Sequence, residues 1–137
     1  MRHIESAIQQ GCVTWFRLQF PEIGKLLFAV PNGGARSRLE AAIMKGEGVT
    51  AGVADMLLLY PSGPYGCLCI EFKTEKKGSR QQPTQIEWQA LTEKAGNKYV
   101  VCRSFDEFRD AVTEYLQPSI TPGKRPFGRD VLRNFET

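Results

Sequence analysis

Two acidic residues, Asp55 and Glu71, stand at equal distances from a glycine in the middle of a predicted β-hairpin. The apolar segment GVADMLLLY is followed by the turn-forming sequence PSGPYG and then by a second apolar segment, CLCIEFK. Gly63 lies eight residues after Asp55 and eight before Glu71. A hairpin centred on Gly63 pairs the two carboxylates across the strands, with Cβ atoms about 5 Å apart. Because like charges at that spacing repel, the pattern favours a cation between them.

A lysine completes this candidate site. Lys73 follows Glu71 by two residues, so in a strand both side chains point to the same face. Two carboxylates and a lysine at the end of a hairpin can bind a divalent metal ion and position an attacking water. The chain has a single histidine, His3, so histidine-based general-base chemistry has no support.

Composition indicates an ordinary globular domain. The 137 residues are 42% hydrophobic and 24% charged, which is enough for one domain with a core. No apolar run reaches the length of a membrane span, and the first ten residues lack the apolar stretch of a signal peptide. We therefore expect a soluble, cytoplasmic protein. The four cysteines lack the spacing of a structural zinc site, which favours small buried thiols in a reducing compartment.

The order of predicted elements indicates an α/β fold, a mixed β-sheet flanked by helices. The strand at 98–102 is expected to lie parallel to the strand at 67–73, because a helix connects them. A capping box, Thr84 to Glu87, is expected to begin that helix, and Gly96 to end it. The predicted order is helix 3–20, strand 25–30, helix 37–45, the hairpin, helix 84–95, strand 98–102 and a helix after Ser104.

The composition changes after residue 116. Prolines, glycines and basic residues dominate the last part of the chain, which predicts a domain at 1–116 and a basic C-terminal tail at 117–137. A short apolar stripe that includes Leu132 and Phe135 suggests that the tail docks on this domain or on a partner, and disorder is the alternative.

The net charge of +3 and the pI near 8.7 decide little, but the basic residues are clustered. Lys76, Lys77 and Arg80 follow the hairpin, and Arg36 and Arg38 follow a glycine-rich turn. Clusters of this kind are typical of phosphate binding, so these five residues are the predicted contacts to the phosphates of a nucleic acid. A solvated loop and an ordinary turn are the alternatives.

The arrangement of Asp55 and Glu71-Phe72-Lys73 on a hairpin between helices resembles the PD-(D/E)XK nuclease superfamily, although Ala54 stands where the motif's name has proline. The first-helix Glu5, the loop GVTAGVAD, the strand IEFK and Gln85 before Trp88 are similar to the VRR-NUC family, in particular its short, virus-type, stand-alone members. The resemblance covers roughly residues 3–116 and implies a restriction-endonuclease-like core.

The resemblance also implies roles for individual residues. Asp55, Glu71, the Phe72 carbonyl and Glu5 would hold Mg²⁺ or Mn²⁺, which prefer oxygen ligands. Lys73 would orient the attacking water or stabilise the phosphate, and Gln85 would orient Lys73 or the phosphate. Alternatively, Glu5 is a first-turn glutamate favoured by the helix dipole, and Gln85 is a polar residue at a helix start.

The function implied by the resemblance is a metal-dependent endodeoxyribonuclease that leaves a 5′-phosphate and cuts branched DNA, with four-way (Holliday) junctions first and flaps second. Symmetric cutting of two strands needs two active sites, so a homodimer is expected. The similarity to virus-type members also implies a bacterial or viral (phage) origin. A general or restriction-like endonuclease of the same superfamily, or a nucleic-acid-binding module without catalysis, remains open.

Overall fold

The computed structural model describes residues 2–31, 37–74 and 80–117. These residues form four α-helices and four β-strands, together with a 3-10 helix over Pro21–Leu26. In chain order they are α1 (Arg2–Gln19), β1 (Leu27–Ala29), α2 (Arg38–Gly46), β2 (Met56–Leu58), β3 (Leu68–Phe72), α3 (Pro83–Lys94), β4 (Lys98–Cys102) and α4 (Phe105–Leu116).

The strands form one mixed sheet in the order β1-β2-β3-β4, with β4 parallel to β3 and the other pairs antiparallel. In the hairpin, Met56 pairs with Ile70 and Leu58 pairs with Leu68. Extended by one residue, this register sets Asp55 opposite Glu71. The predicted α/β fold, the parallel crossover and the hairpin register are therefore confirmed.

The central strand β3 is buried along its whole length, because helices cover both faces of the sheet. Leu68, Ile70 and Phe72 belong to the larger core, to which α1 and α4 contribute Phe16 and Phe108. Alternate residues point to the opposite face. There Cys69 packs with residues of β4 and α3 in a smaller cluster. Glu71 shares that second face, so a charged side chain occupies the interior under α3.

The first strand is shorter than the predicted segment 25–30. Lys25 and Leu26 belong to the 3-10 helix that begins at Pro21, and β1 covers only Leu27–Ala29. Proline fits the first position of a helix, since its φ is already suitable and its missing N–H has no partner there. Arg17 stabilises the turn by donating to the carbonyls of Gly24 and Leu27, at 3.2 and 3.1 Å.

The start of α3 also differs from the prediction. The helix begins at Pro83, and the capping partners are Gln82 and Gln85 instead of Thr84 and Glu87. The reason is again a proline at the first helical position, which moves the cap one residue before it. At the other end, Gly96 follows the helix with φ of +97°, a left-handed conformation that favours glycine.

Two further sequence expectations can be compared with the described residues. All four cysteines are free thiols, and only Cys67 is partly exposed. Within the part of the chain that the structure describes, no helix is both long and apolar enough to cross a membrane.

Candidate active site

Asp55 lies immediately before β2, and hydrogen bonds hold both its backbone and its side chain. Its backbone carbonyl accepts a hydrogen bond from the Val30 N–H at 2.8 Å. Its side-chain Oδ2 accepts the backbone N–H of Phe72 at 2.7 Å, across the end of the hairpin. Burial raises the pKa of the half-buried carboxyl, and the Phe72 hydrogen bond opposes that shift. The negative charge of Glu71 raises the pKa further.

Glu71 is fully buried, with no exposed surface. Its Oε1 accepts two hydrogen bonds, one from the hydroxyl of Tyr99 and one from Nε2 of Gln81 at 3.2 Å. Its Oε2 is buried, and no group among the described residues donates a hydrogen bond to it. A buried carboxylate oxygen without a donor is costly, so this atom needs a partner that the described chain does not supply.

Tyr99 and Gln81 are functional candidates that sequence reasoning missed. Tyr99 lies on β4, and its ring packs edge-on against Trp88 with centroids 6.1 Å apart. Burial raises the pKa of Tyr99, and the hydrogen bond to Glu71 raises it further, so the hydroxyl stays protonated and donates. Gln81 precedes α3 and also donates to Oε1 of Gln89 at 2.8 Å. The predicted parallel pairing of 67–73 with 98–102 is the signal that could have pointed to Tyr99. In the observed register Tyr99 lies opposite Cys69, on the face of the sheet that Glu71 shares.

Lys73 follows β3 and is partly exposed. Its backbone N–H donates to the Cys102 carbonyl at 3.0 Å, which continues the parallel ladder by one residue. The positive charge of the side chain lowers the pKa of Asp55. Lys73 therefore stands beside the carboxylate pair, on the side where the chain leaves the sheet.

Glu5 lies in the first turn of α1 and is half-buried. It stands near enough to Asp55 for its negative charge to raise the pKa of that carboxyl. Over residues 2–31, 37–74 and 80–117, however, no three or more His, Cys, Asp or Glu side chains are arranged to hold a metal ion. Glu5 is thus a neighbour of the pair and does not close a three-carboxylate site in this arrangement, so its role as a ligand stays a prediction.

Gln85 occupies the third position of α3, and its Oε1 accepts the backbone N–H of Gln82 at 2.7 Å. The predicted role in orienting Lys73 or a phosphate remains a prediction. The loop before Asp55 packs closely on this helix start. A Cβ built on Gly52, where φ is +87°, would lie 2.2 Å from the carbonyl oxygen of Thr84. Only glycine permits this approach, which ties the Asp55 loop to α3.

The predicted DNA-binding residues fall into two groups. Arg38, at the start of α2, and Arg80, just before Gln81, are both exposed. Neither contacts the carboxylate pair in the described structure. Arg36, Lys76 and Lys77 lie outside the described residues.

The donor set around Asp55 and Glu71 fits a divalent cation. It comprises two carboxylates brought together by the hairpin register, one of them with a buried oxygen to which no described residue donates a hydrogen bond. The carbonyl of Phe72, between Glu71 and Lys73, is a further hard oxygen. Hard oxygen donors of this kind suit Mg²⁺ or Mn²⁺, and a cation between the carboxylates would relieve their repulsion.

Comparison with known proteins agrees with this geometry. No protein-family model and no curated protein matches the sequence significantly. A solved structure described as a VRR_NUC domain protein is similar to this chain, with a TM-score of 0.73 and 25% sequence identity. The similarity covers 88% of this chain and 94% of that one. The fold and the extent of this similarity support a VRR-NUC domain, and the mixed four-stranded sheet flanked by helices is consistent with the fold of that nuclease domain family.

Proposed function

We propose that this protein is a metal-dependent deoxyribonuclease that hydrolyses phosphodiester bonds in DNA. The observation that carries the proposal is Oε2 of Glu71, a fully buried carboxylate oxygen to which no described group donates a hydrogen bond. Asp55 stands opposite on the neighbouring strand. An interior site of two acids is costly unless a cation joins them, and a bound cation can activate water for the hydrolysis of a phosphodiester.

We assign different roles in the reaction to the residues at the site. Asp55, Glu71 and the Phe72 carbonyl would hold Mg²⁺ or Mn²⁺. When bound, the cation would supply Lewis-acid chemistry, by polarising the phosphate and making a water molecule more acidic. Lys73 would donate hydrogen bonds to the attacking water or to the phosphate, where negative charge grows in the transition state. Lys73 is partly exposed, as a residue that contacts a bound substrate needs to be.

Branched DNA, with a four-way junction first and a flap second, is the proposed substrate, and the enzyme acts as a homodimer. A single active site per chain cuts one strand, so paired cuts across a junction need two chains related by a two-fold axis. Helix α2 supports self-association, because it buries no residue and exposes Leu39 and Ile43 on one face. These exposed fractions, 71% and 51%, are large for apolar side chains one helical turn apart.

Cleavage of labelled duplex, flap and four-way-junction DNA, side by side with and without Mg²⁺, tests the proposal. The wild-type protein should cut only with metal. Asp55→Asn and Glu71→Gln should lose cleavage by at least about 100-fold while DNA binding survives, because each removes a charged ligand without changing the shape of the site. Asp110→Asn, on the exposed surface of α4, is the matched control and should cut normally.

Different outcomes assign different functions. Equal cleavage of all three DNAs would favour a general endonuclease of the same superfamily over a junction enzyme. Tight DNA binding without cleavage under any metal would favour a binding module. Full activity of either carboxylate variant, or cleavage in the presence of a chelator, would overturn the assignment of the site.

A further inference from the structure

We infer that Tyr99 and Gln81 are positioning residues that hold Glu71 in the one orientation able to bind the metal. Together they occupy Oε1, whereas Oε2 accepts no hydrogen bond from any residue that the structure describes. The inference rests on the proposed function and assigns the two residues a specific part in it. They act through Glu71 and need not touch the substrate.

Two donors from different elements hold Oε1 of Glu71 in place. The Tyr99 hydroxyl comes from β4, the neighbouring parallel strand, and Nε2 of Gln81 comes from the segment before α3. Because the two donors reach the same oxygen from different elements, rotation of the carboxylate would break both hydrogen bonds at once. A buried carboxylate would lose stabilisation from two donors in that rotation.

Gln81 is itself fixed. An amide nitrogen carries two hydrogens, and Nε2 of Gln81 uses them on Oε1 of Glu71 and Oε1 of Gln89. Gln89 in turn donates to Glu93, at 3.4 Å, along the same helix. The amide of Gln81 therefore links α3 to the carboxylate on β3.

Tyr99 is fixed by packing. The side chain is 5% exposed, and its ring lies against Trp88 of α3. Replacing tyrosine with phenylalanine would keep the ring and this contact while removing only the hydroxyl. Partners that orient metal ligands in this way typically change metal affinity or activity 10- to 100-fold when removed.

A purely structural role is the competing explanation, since losing any buried hydrogen bond lowers stability. Tyr115 provides a matched control. Its hydroxyl is also buried and donates to a backbone carbonyl, that of Tyr60, at 2.6 Å. It lies in the larger core, at the hairpin-turn end of the sheet, away from Glu71. Tyr115→Phe therefore removes a comparable hydrogen bond without touching the carboxylate.

The experiment measures Mn²⁺ binding by calorimetry in the absence of DNA, together with thermal unfolding of the metal-free proteins. Wild type should bind Mn²⁺, and Glu71→Gln should not. Tyr99→Phe should weaken Mn²⁺ binding about 10-fold or more. Tyr115→Phe should match it in thermal destabilisation and keep wild-type Mn²⁺ affinity. In cleavage assays, Tyr99→Phe should lower kcat more than it changes KM for DNA.

A second variant covers the case in which Tyr99→Phe folds poorly. Gln81→Asn shortens a partly exposed side chain by one methylene, so the amide can no longer reach both Glu71 and Gln89. It should weaken Mn²⁺ binding in a stably folded protein.

If Glu71→Gln abolishes Mn²⁺ binding while Tyr99→Phe and Gln81→Asn bind like wild type, the positioning role is wrong and the proposed function stands. If wild type itself does not bind Mn²⁺, the proposed function fails, and this inference fails with it.

Discussion

Asp55 accepts the backbone N–H of Phe72 through Oδ2, at 2.7 Å, and so joins the two strands at the point where the hairpin opens. This hydrogen bond holds one acidic side chain of the site against the backbone that carries the other. Phe72 directly follows Glu71, and its carbonyl is the proposed third metal ligand. This contact thus ties the Asp55 side chain to the stretch of backbone that carries the other two proposed oxygen donors.

Without metal, Asp55→Asn should raise the free energy of unfolding by about 1 kcal/mol, because a carboxylate facing another is replaced by a neutral amide. The amide oxygen can still accept the Phe72 N–H. Since folding raises the pKa of Asp55, its ionisation lowers the stability of the wild type as pH rises from the ordinary aspartate value of 3.8 through the raised pKa, and the loss is constant above it. The gain in Asp55→Asn should therefore be absent below pH 3.8 and reach its full size above the raised pKa.

Urea denaturation of the metal-free protein between pH 3 and 8 measures this effect. Asp110→Asn is the control, since that aspartate is exposed and pairs with Arg109 on the surface. A loss of stability in Asp55→Asn at pH 7 would show that the repulsion between the two acids is already relieved without metal.

The identity of the metal should matter more for turnover than for binding. Mg²⁺ and Mn²⁺ should support cleavage, whereas Ca²⁺ should support DNA binding with little cleavage. The reason is the larger and more flexible coordination shell of Ca²⁺, which positions water less strictly. Cleavage rates at matched saturation with each ion check this. Equal rates with Ca²⁺ and Mg²⁺ would contradict the proposed need for a tightly ordered site.

Gly52→Ala should destabilise the protein strongly, because the new Cβ would overlap the Thr84 carbonyl and φ of +87° is unfavourable for alanine. Gly48→Ala is a matched control, since Gly48 has φ of +104° and open space around its Cβ position. Gly48→Ala should cost about 1 kcal/mol, and Gly52→Ala should cost at least about 2 kcal/mol more. Thermal unfolding measures both, and equal costs would mean that the contact with α3 is unimportant.

Lys73 and Arg80 should affect different steps. Lys73→Ala should lower kcat about 100-fold and change DNA affinity little, because the ammonium acts where charge develops in the transition state. Arg80→Ala should lower affinity and reduce the slope of log K against log salt by about 0.9, the value for one lost phosphate contact. Binding titrations at several salt concentrations measure the slope. If the slope is unchanged by Arg80→Ala, and by a variant that also replaces Lys76 and Lys77, these basic residues are exposed to solvent and make no phosphate contact.

Self-association should depend on the exposed face of α2. The double substitution Leu39→Glu and Ile43→Glu places charge on that face, which should convert a dimer to monomer in light scattering while the thermal stability of the chain holds. Lys45→Glu, on the same helix, is the control for charge alone. Truncation after Leu116 tests the basic tail at 117–137 separately, since residues 118–137 lie outside the described residues. A dimer that survives both changes would require a different interface.

The sequence determined the features that depend on local pattern. The hairpin register follows from two apolar segments around a turn, and a slip of one residue would reverse every side chain between the two faces, so Asp55 and Glu71 had to meet. The bounds of β4 and the left-handed Gly96 after α3 were likewise predictable, because strand-forming residues and glycine act within a few positions. Where prediction erred, at β1 and at the start of α3, a proline had moved the element boundary.

Tertiary structure decided what surrounds the carboxylates. Tyr99 is 28 residues from Glu71 in sequence and reaches it only because β4 lies parallel beside β3. Gln81 contacts Glu71, whereas Gln85, only four residues later, caps the helix, and this difference depends on where Pro83 begins α3. The complete burial of Glu71 likewise arises from the packing of α3 over the sheet. Such contacts join distant parts of the chain, and no local periodicity encodes them.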